Sequence, residues 1–569
     1  MQLTTSNESC AEIARLLAAH GISHVVVSPG SRNAPLSVAI SRAGCFTVDV
    51  VVDERTAGFV ALGIAAESMR PVAVMCTSGT ALLNLAPAVA EAYYRHVPLI
   101  VISADRPAEW IDQDDSQTLR QFGALDNIVR HSYNLPAFVA TDNLRWMINR
   151  TINDAISMAS GTPSGPVHLN VQIDEPLHQL APVSHAPVRV ISAETPAAFL
   201  SPQQAMRMAR ELREGRGVLI IAGFSHPSDT LDRALASLSR LDNVAVMTEA
   251  QSNLRLPDTA NHVSAIDSTL SAMTETMRRQ MLPSTVITFG GSLLSRMVKQ
   301  WLRDAAAQGL VSHWHIGMSD NAVDCFKCLA KRVMMPPEVF FEGLLTVAEH
   351  LYAPSCYGAR WRRYAAEALD AKRAFVDNAP WSDLRAMSVI MGTLPPQCNL
   401  HLSNGTAVRY AQLFDCGGIR RIDCNRGVSG IDGCTSTAVG ASKAYSGTTV
   451  LVTGDMSAQY DMGALAVPDI PSSFRIIVLN NGGGGIFRFI KSTSGLDELD
   501  RYFVGDVRLP LRELSEGFGF RYYEVTSEDR FRSIEAEFYA DSGKPAIMNV
   551  ITPGGVSAEV LRNYFKTKI

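Results

Sequence analysis

Residues 449–487 read TVLVTGDMSAQYDMGALAVPDIPSSFRIIVLNNGGGGIF. The run Thr449–Val452 is apolar and β-branched, and it leads into Gly454–Asp455. A helical stretch follows. A second run, Arg475–Leu479, is apolar after its first residue and ends at Asn480–Asn481, before a glycine-rich segment. Strands without a polar face belong to a parallel sheet covered by helices on both sides. Parallel strands joined by a helix end at the same sheet edge. The spacing therefore brings Asp455 and Asn481 to one edge. Asp455 offers a carboxylate oxygen, Asn481 an amide oxygen and Gly483 a backbone carbonyl. These are hard donors of the kind Mg²⁺ takes, commonly together with phosphate oxygens. Ser457 and its neighbours open the helix after Asp455, where free N–H groups and the helix dipole favour a diphosphate. A generic crossover with glycine turns needs neither the acid nor the amide.

The same alternation runs through the chain. Ile22–Val27 leads into SPGSR, Val72–Cys76 into TSGT and a helix, and Leu99–Ala104 into DRP. Val167–Val171 closes this unit. Residues 176–200 are Pro- and Ala-rich without periodicity and read as a linker. A second unit carries strands at Val218–Ala222, Val244–Thr248, Val286–Phe289 and His313–Ile316. Helical segments after about residue 350 lead to a third, with strands at Leu400–Ser403, Arg421–Cys424, Thr449–Val452, Arg475–Leu479 and Ala546–Ile551. The expected fold class is α/β, with three doubly wound parallel-sheet domains over 1–180, 195–350 and 380–569. In the first helix, Thr5 and Glu8 have capping-box spacing, and Gly21 ends the helix.

The chain has 569 residues, too many for one core, with 47% hydrophobic and 19% charged residues, ordinary for a globular protein. A net charge of -5 gives no basic excess for nucleic acid or an anionic membrane. No secretory signal or membrane-length apolar run is visible, so a cytoplasmic location is expected. The ten cysteines are scattered and read as free thiols. Cys325 and Cys328 form one CxxC, but no second pair stands at zinc-site spacing, so they read as ordinary thiols on a helix.

The GD…NN segment resembles the signature of thiamine-diphosphate enzymes, with Met456 where a third glycine is common. The resemblance implies a Glu after a strand in the first domain. Glu54 in VDERTAGF matches, following Val48–Val52 and preceding an Ala/Gly-rich helix. It implies that Glu54 hydrogen-bonds N1′ of the aminopyrimidine, favouring the imino tautomer whose nitrogen takes the proton from thiazolium C2. A partly desolvated site would suit such proton sharing. Taken alone, Glu54 would read as an exposed helix-start acid. The cofactor positions implied are Thr77, Ser78, Gly79, Gly430, Ile431, Gly454, Asp455, Met456, Ser457, Asn481, Gly483 and Ile486. Ile431 matches the apolar residue that props the cofactor into a bent form. Thiamine diphosphate with Mg²⁺, or Mn²⁺ in its place, would be held by Asp455, Asn481 and Gly483. In such enzymes the first domain grips the pyrimidine and the third the diphosphate. One site draws on two subunits, which implies a homodimer or homotetramer.

SPGSRNAPL at 28–36, VDERTAGF at 52–59, TSGTALLNLAPAVAEA at 77–92, SADRPAE at 103–109 and NRGVSGIDG at 425–433 narrow the resemblance. Together they are similar to the 2-succinyl-5-enolpyruvyl-6-hydroxy-3-cyclohexene-1-carboxylate synthase family of menaquinone biosynthesis. This implies decarboxylation of 2-oxoglutarate and addition of the succinic semialdehyde unit to isochorismate. Both are dicarboxylates, which call for fixed cations, and arginine offers paired donors. Ser31, Arg32, Arg106, Gln117, Arg409 and Arg426 match substrate-binding positions. The family's Asn-Gln pair reads Ser116–Gln117. A Lys-Arg pair of some relatives aligns with Arg296–Met297, leaving one cation for Lys299 to supply. Ser403–Asn404–Gly405 stands where Gly-Asn-Ser is frequent, and Thr406 could supply that hydroxyl. An acetolactate-synthase-like enzyme acting on pyruvate is the alternative, but 190–350 carries no flavin signature and a small monocarboxylate needs fewer arginines. An inactive protein of the same fold would not need Glu54, Asp455 and Asn481 together. No His pair of the kind aldehyde-releasing decarboxylases use is evident, in keeping with carboligation.

Overall fold

The computed structural model describes every residue except Met1, His185, Thr195, Asp320, Lys491, Asp506 and Arg508. Thr195, where the second unit was placed to begin, thus lies outside the described residues. The fold rests on three six-stranded, wholly parallel sheets. The first runs, edge to edge, Thr47–Val50, His24–Val27, Val72–Cys76, Leu99–Asp105, Val167–Gln172, Ser132–Leu135. The third runs Arg421–Cys424, Asn399–Leu402, Thr449–Gly454, Phe474–Asn480, Ala546–Ile551, Arg521–Val525. Numbered within each sheet, both follow the order 2-1-3-4-6-5, whereas the middle sheet follows 3-2-1-4-5-6.

That order locates the site. In open parallel sheets ligands bind beyond the strand C-termini, where the winding direction reverses. In the third sheet the reversal falls between Asn399–Leu402 and Thr449–Gly454, so Ser403–Asn404 and Asp455 meet. In the first it falls between His24–Val27 and Val72–Cys76, so SPGSR meets TSGT, and a Cβ on Gly30 would run into the Thr77 side chain.

The first and third units share one core. Helix Glu54–Ser68 lies against helix Cys434–Ala444, with Phe59, Val60 and Ile64 packed in one cluster with Ala438, Val439 and Leu465. A Cβ on Gly63 would run into the Thr437 carbonyl, and one on Gly440 into the Val60 carbonyl. Glycine at both places lets the two helix backbones touch.

Several local expectations change. Asn7, not Thr5, caps the first helix, accepting from Cys10 N at 3.0 Å, because Thr5 is committed to a short strand, Leu3–Thr5. That strand pairs antiparallel with Leu180–Pro182, so part of the expected linker is structured. Cys325 and Cys328 lie in a loop with Lys327 at φ 65°, not on a helix, where the Asp324 carboxylate accepts from Cys328 N and Leu329 N. Burial raises both thiols, Cys328 up to about 11, which leaves them poor nucleophiles and ligands. Among the described residues no helix is long and apolar enough to cross a membrane.

Candidate active site

Asp455 opens the helix Asp455–Tyr460 and is 2% exposed. Its Oδ1 accepts from Met456 N at 2.7 Å, and its Oδ2 accepts from Gly482 N at 2.9 Å and Gly483 N at 2.8 Å. The carboxylate thus ties the first strand end to the glycine segment after the second. Burial pushes its carboxyl up to about 6 despite these donors. The Asn481 side chain donates through Nδ2 to Asp383 Oδ2 at 2.7 Å, which fixes its amide orientation. Its Oδ1 is buried and has no partner. A buried acceptor without a donor is costly, and a cation between it and Asp455 would satisfy both. Gly483, at φ 138°, is forced to be glycine because a Cβ there would meet the Val504 carbonyl. The donor set therefore fits a hard divalent ion. Among the described residues no cluster of three or more His, Cys, Asp or Glu offers a metal site, and this single-carboxylate set does not depend on one. The helix start is less free than expected, because Met456 N already donates to Asp455.

The loop 425–433 lies beside it, pinned on three sides. Asn404 Nδ2 donates to the carbonyls of Asn425 at 2.6 Å and Gly430 at 2.7 Å, and Asn404 Oδ1 accepts from Arg426 at 3.0 Å. The Ser457 hydroxyl donates to the Ile431 carbonyl at 2.6 Å. From the first unit, the buried Glu91 accepts from Gly427 N and Val428 N, each at 2.8 Å. Beneath it Arg95 bonds Asp423 at 2.6 Å, and with Arg421 it holds that carboxyl well below its usual range even though burial opposes it. Gly430 and Ile431 are half-buried in this loop, as is Ile486 at the start of helix Ile486–Phe489. The departure at 403–405 is thus resolved locally. Ser403 Oγ accepts from Gly454 N at 3.2 Å, and Thr406 precedes the helix Ala407–Ala411 that carries Arg409.

In the first unit Glu54 begins its helix under an Asp53 cap, half-buried, with Oε2 accepting from Asn84 Nδ2 at 3.3 Å. Thr77 and Ser78 are buried. Gly79 N donates to Gln121 Oε1 at 2.7 Å, and the Gln117 backbone lies against Gly79. Ser31, Ser116 and Gln117 are exposed at the same edge. Arg32 and Arg106 repel one another, yet each has a carboxylate: Arg32 with Glu175 at 3.3 Å, Arg106 with Asp115 at 2.7 Å.

A second cationic group joins the middle and third units. Burial first, then Arg426 and Arg296, pushes Arg409 down to about 10. Burial also lowers Lys299, with Glu249 opposing and Arg426 reinforcing the effect. Arg409 thus lies close enough to Arg426 and Arg296, and Lys299 close enough to Arg426, to act on one another's charge. Met297 instead packs against the middle core. Among the described residues no hydrogen bond or ion pair links Glu54, Arg32 or Arg106 to Asp455 or to this group. Sequence reasoning missed Asp383, Glu91, Gln121, Glu249 and Asp267. Asp383, Glu91, Gln121 and Glu249 hold other residues of the site by hydrogen bonds, and only chain topology brings them near.

Fold and site together define a thiamine-pyrophosphate enzyme. Residues 10–124 match the thiamine pyrophosphate enzyme N-terminal TPP-binding domain family. A 2-succinyl-5-enolpyruvyl-6-hydroxy-3-cyclohexene-1-carboxylate synthase of Porphyromonas gingivalis is 39% identical over 96% of this chain and 94% of that protein. Proteins of the same name from Christiangramia forsetii (97% of each chain) and Bacteroides fragilis (97% of this chain, 98% of that protein) are each 36% identical. The chain belongs to the 2-succinyl-5-enolpyruvyl-6-hydroxy-3-cyclohexene-1-carboxylate synthase family.

Proposed function

We propose that this enzyme decarboxylates 2-oxoglutarate and adds the resulting four-carbon unit to isochorismate, in menaquinone biosynthesis. The observation that carries the reading is the gathering of Arg296, Lys299, Arg409 and Arg426 near the loop that Ser457 joins to the Asp455 helix. A pyruvate-using enzyme would not need so many cations beside one small carboxylate. Asp455, Asn481 and the Gly483 carbonyl would hold Mg²⁺ or Mn²⁺ with the diphosphate, and Gly454, Met456, Ser457 and Ile486 would line it. Thiamine diphosphate, when bound, supplies a thiazolium carbon that stabilises the electron pair left as carbon dioxide departs. Glu54 would hold a proton at its carboxyl for the aminopyrimidine, with Thr77, Ser78 and Gly79 at the same end of the first sheet. Gly430 lets the backbone approach, and Ile431 wedges against the ring system. The four cations fix one substrate's carboxylates. Ser31, Arg32, Arg106, Ser116 and Gln117 orient the other's.

The two halves belong to one site shared between copies. Glu54 and Asn84 sit beside the exposed apolar side chains of Val48, Val50, Val52 and Leu83, with Val52 79% exposed. A second copy there would dry Glu54. The working divisions are 1–180 for the pyrimidine, 195–350 as the central unit and 380–569 for the diphosphate, in a cytoplasmic homodimer or homotetramer.

The test is isochorismate consumption by the purified protein, omitting thiamine diphosphate, Mg²⁺ and 2-oxoglutarate in turn. Loss of isochorismate absorbance in the complete mixture alone is expected. Pyruvate consumption without isochorismate loss would overturn the substrate assignment and keep the cofactor.

A further inference from the structure

Glu249 follows strand Val244–Thr248 in the middle unit, is 1% exposed, and touches none of the residues assigned above to the cofactor. Its Oε1 accepts from Leu294 N and Ser295 N, each at 2.7 Å, and its Oε2 from Leu294 N at 2.8 Å and Gln251 Nε2 at 3.1 Å. Those amides begin the helix Arg296–Ala306, which carries Arg296 and Lys299. Ser295 caps that helix, accepting from Val298 N at 3.0 Å, and its hydroxyl donates to Asp267. Lys299 itself donates to the Leu293 carbonyl at 3.0 Å.

The same segment grips the third unit. Ala250 N donates to Gln412 Oε1 at 2.5 Å. Asn253 exchanges two bonds with the Ile422 backbone, at 2.7 and 2.9 Å, and Arg255 donates to the Arg420 carbonyl at 2.9 Å. Ile422 lies in the strand that leads to Arg426, and Gln412 follows the helix carrying Arg409. One short segment, 249–255, is therefore bonded through Glu249 to the helix of one cation pair and through Ala250, Asn253 and Arg255 to the elements bearing the other.

We propose that Glu249 is a positioning residue, whose bonds to the Leu294 and Ser295 amides set Arg296 and Lys299 in register with Arg409 and Arg426. It acts through hydrogen-bond geometry and touches no substrate. This rests on the reading of those four cations as the substrate's carboxylate site. Glutamine at 249 preserves the function. Its amide oxygen takes the Leu294 and Ser295 donors at the Oε1 position, while the new Nε2 must turn from Leu294 N, 2.8 Å from the present Oε2, toward Gln251, whose Oε1 is buried without a partner and flips to accept from it.

The experiment is a double-mutant cycle on KM, with kcat followed alongside. Glu249→Ala is expected to raise the KM of one dicarboxylate substrate about tenfold while kcat stays within about twofold. Glu249→Gln returns KM to within about twofold of wild type. Lys299→Ala raises the same KM, and Glu249→Ala adds less in that background than in the wild type, because Arg296 is then the only cation of that helix left to misplace. Multiplicative effects of the two alanine variants, or no rescue by Gln, would overturn the inference and leave the substrate reading standing. An unchanged KM in Lys299→Ala would sink the reading and the inference with it. If Glu249→Ala does not fold, Glu249→Asp, which withdraws the carboxylate by one methylene, takes its place in the cycle.

Discussion

Replacing Asp455 by Asn isolates the charge of the proposed metal ligand, because the two side chains have nearly the same shape. Burial holds the Asp455 carboxyl at about 6 against an ordinary 3.8. At about 1.4 kcal/mol per pH unit, ionising it costs the metal-free fold roughly 3 kcal/mol. The folded-state value lies above the unfolded one, so this contribution to stability is complete below pH 3.8 and lost as pH rises through about 6. At neutral pH the metal-free protein therefore holds an ionised, poorly solvated carboxylate, and a divalent cation returns that energy on binding. Asparagine brings no charge. Its Nδ2 must also face either Met456 N or the Gly482 and Gly483 amides, leaving a buried donor unpaired at about 1–3 kcal/mol. Asp455→Asn is accordingly expected to weaken Mg²⁺-dependent thiamine diphosphate binding by ~100-fold or more, equivalent to about 3 kcal/mol. Calorimetric titration near neutral pH, with Mg²⁺ and with a chelator, reads this directly. In the wild type, affinity falls by up to about tenfold per pH unit below the Asp455 pKa as protons compete with the ion. The variant should lose that slope. Wild-type affinity in Asp455→Asn, or a wild-type affinity level across pH 5 to 7, would refute the assignment.

Glu54→Gln should leave thiamine diphosphate affinity within about threefold while turnover falls by ~10²- to 10⁴-fold, measured by stopped assays on cofactor-saturated protein. Near-normal turnover would rule out a proton role at that carboxyl. Arg409→Ala removes a half-buried cation of the proposed substrate site and should cost about 2–5 kcal/mol in kcat/KM for one dicarboxylate, with the free protein's folding little affected. An unchanged kcat/KM would remove Arg409 from the site. Gly440→Val drives a side chain into the Val60 carbonyl and should cost about 1–3 kcal/mol by overpacking, seen as a lowered unfolding temperature in calorimetry. A wild-type unfolding temperature would show that the two helices can part freely.

The strands were legible because each central one is apolar on both faces. Val72–Cys76, Val218–Ala222, Val244–Thr248 and Ala546–Ile551 stand where the sequence puts them, and so does the edge strand Arg421–Cys424. Two other edge strands were not legible. Leu329–Val333 and Arg521–Val525 carry polar residues, since one side meets solvent or a single neighbour. Thr5 misled because a capping-box spacing says nothing about whether the first residue is already held in a strand. Asp455 and Asn481 could be read because strand ends in a parallel sheet share an edge by geometry alone. Glu91 could not. It sits 336 residues from the Gly427 amide it accepts from, and nothing in a helix reading EAYYR marks the outward acid as buried. Glu249 and Asp267 are hidden for the same reason. Glu249 accepts from amides 45 residues further on and Asp267 from the Ser295 hydroxyl, contacts that local periodicity does not contain.

The two cationic groups differ in charge balance, and the difference bears on how they would act. Arg32 and Arg106 each face a carboxylate, Glu175 and Asp115, and Glu175 is largely exposed. An arriving substrate carboxylate there exchanges one partner for another, so the net gain is small and geometry decides the outcome. Arg296, Lys299, Arg409 and Arg426 are four cations whose near acids are the buried Glu249 and the half-buried Asp267, both raised by desolvation. Even with both acids ionised, an excess of two positive charges remains, equal to the charge of one dicarboxylate. Protonating Glu249 or Asp267 only increases the excess. Repulsion among the four raises the free energy of the empty site, and an incoming dianion relieves it. On the proposed reading, most of the binding energy for a dicarboxylate therefore belongs to the group between the middle and third units. The arginines of the first unit select its orientation. The register that segment 249–255 imposes between Lys299 and Arg426 is then a condition for affinity, because a dianion relieves the repulsion of all four cations only where they converge.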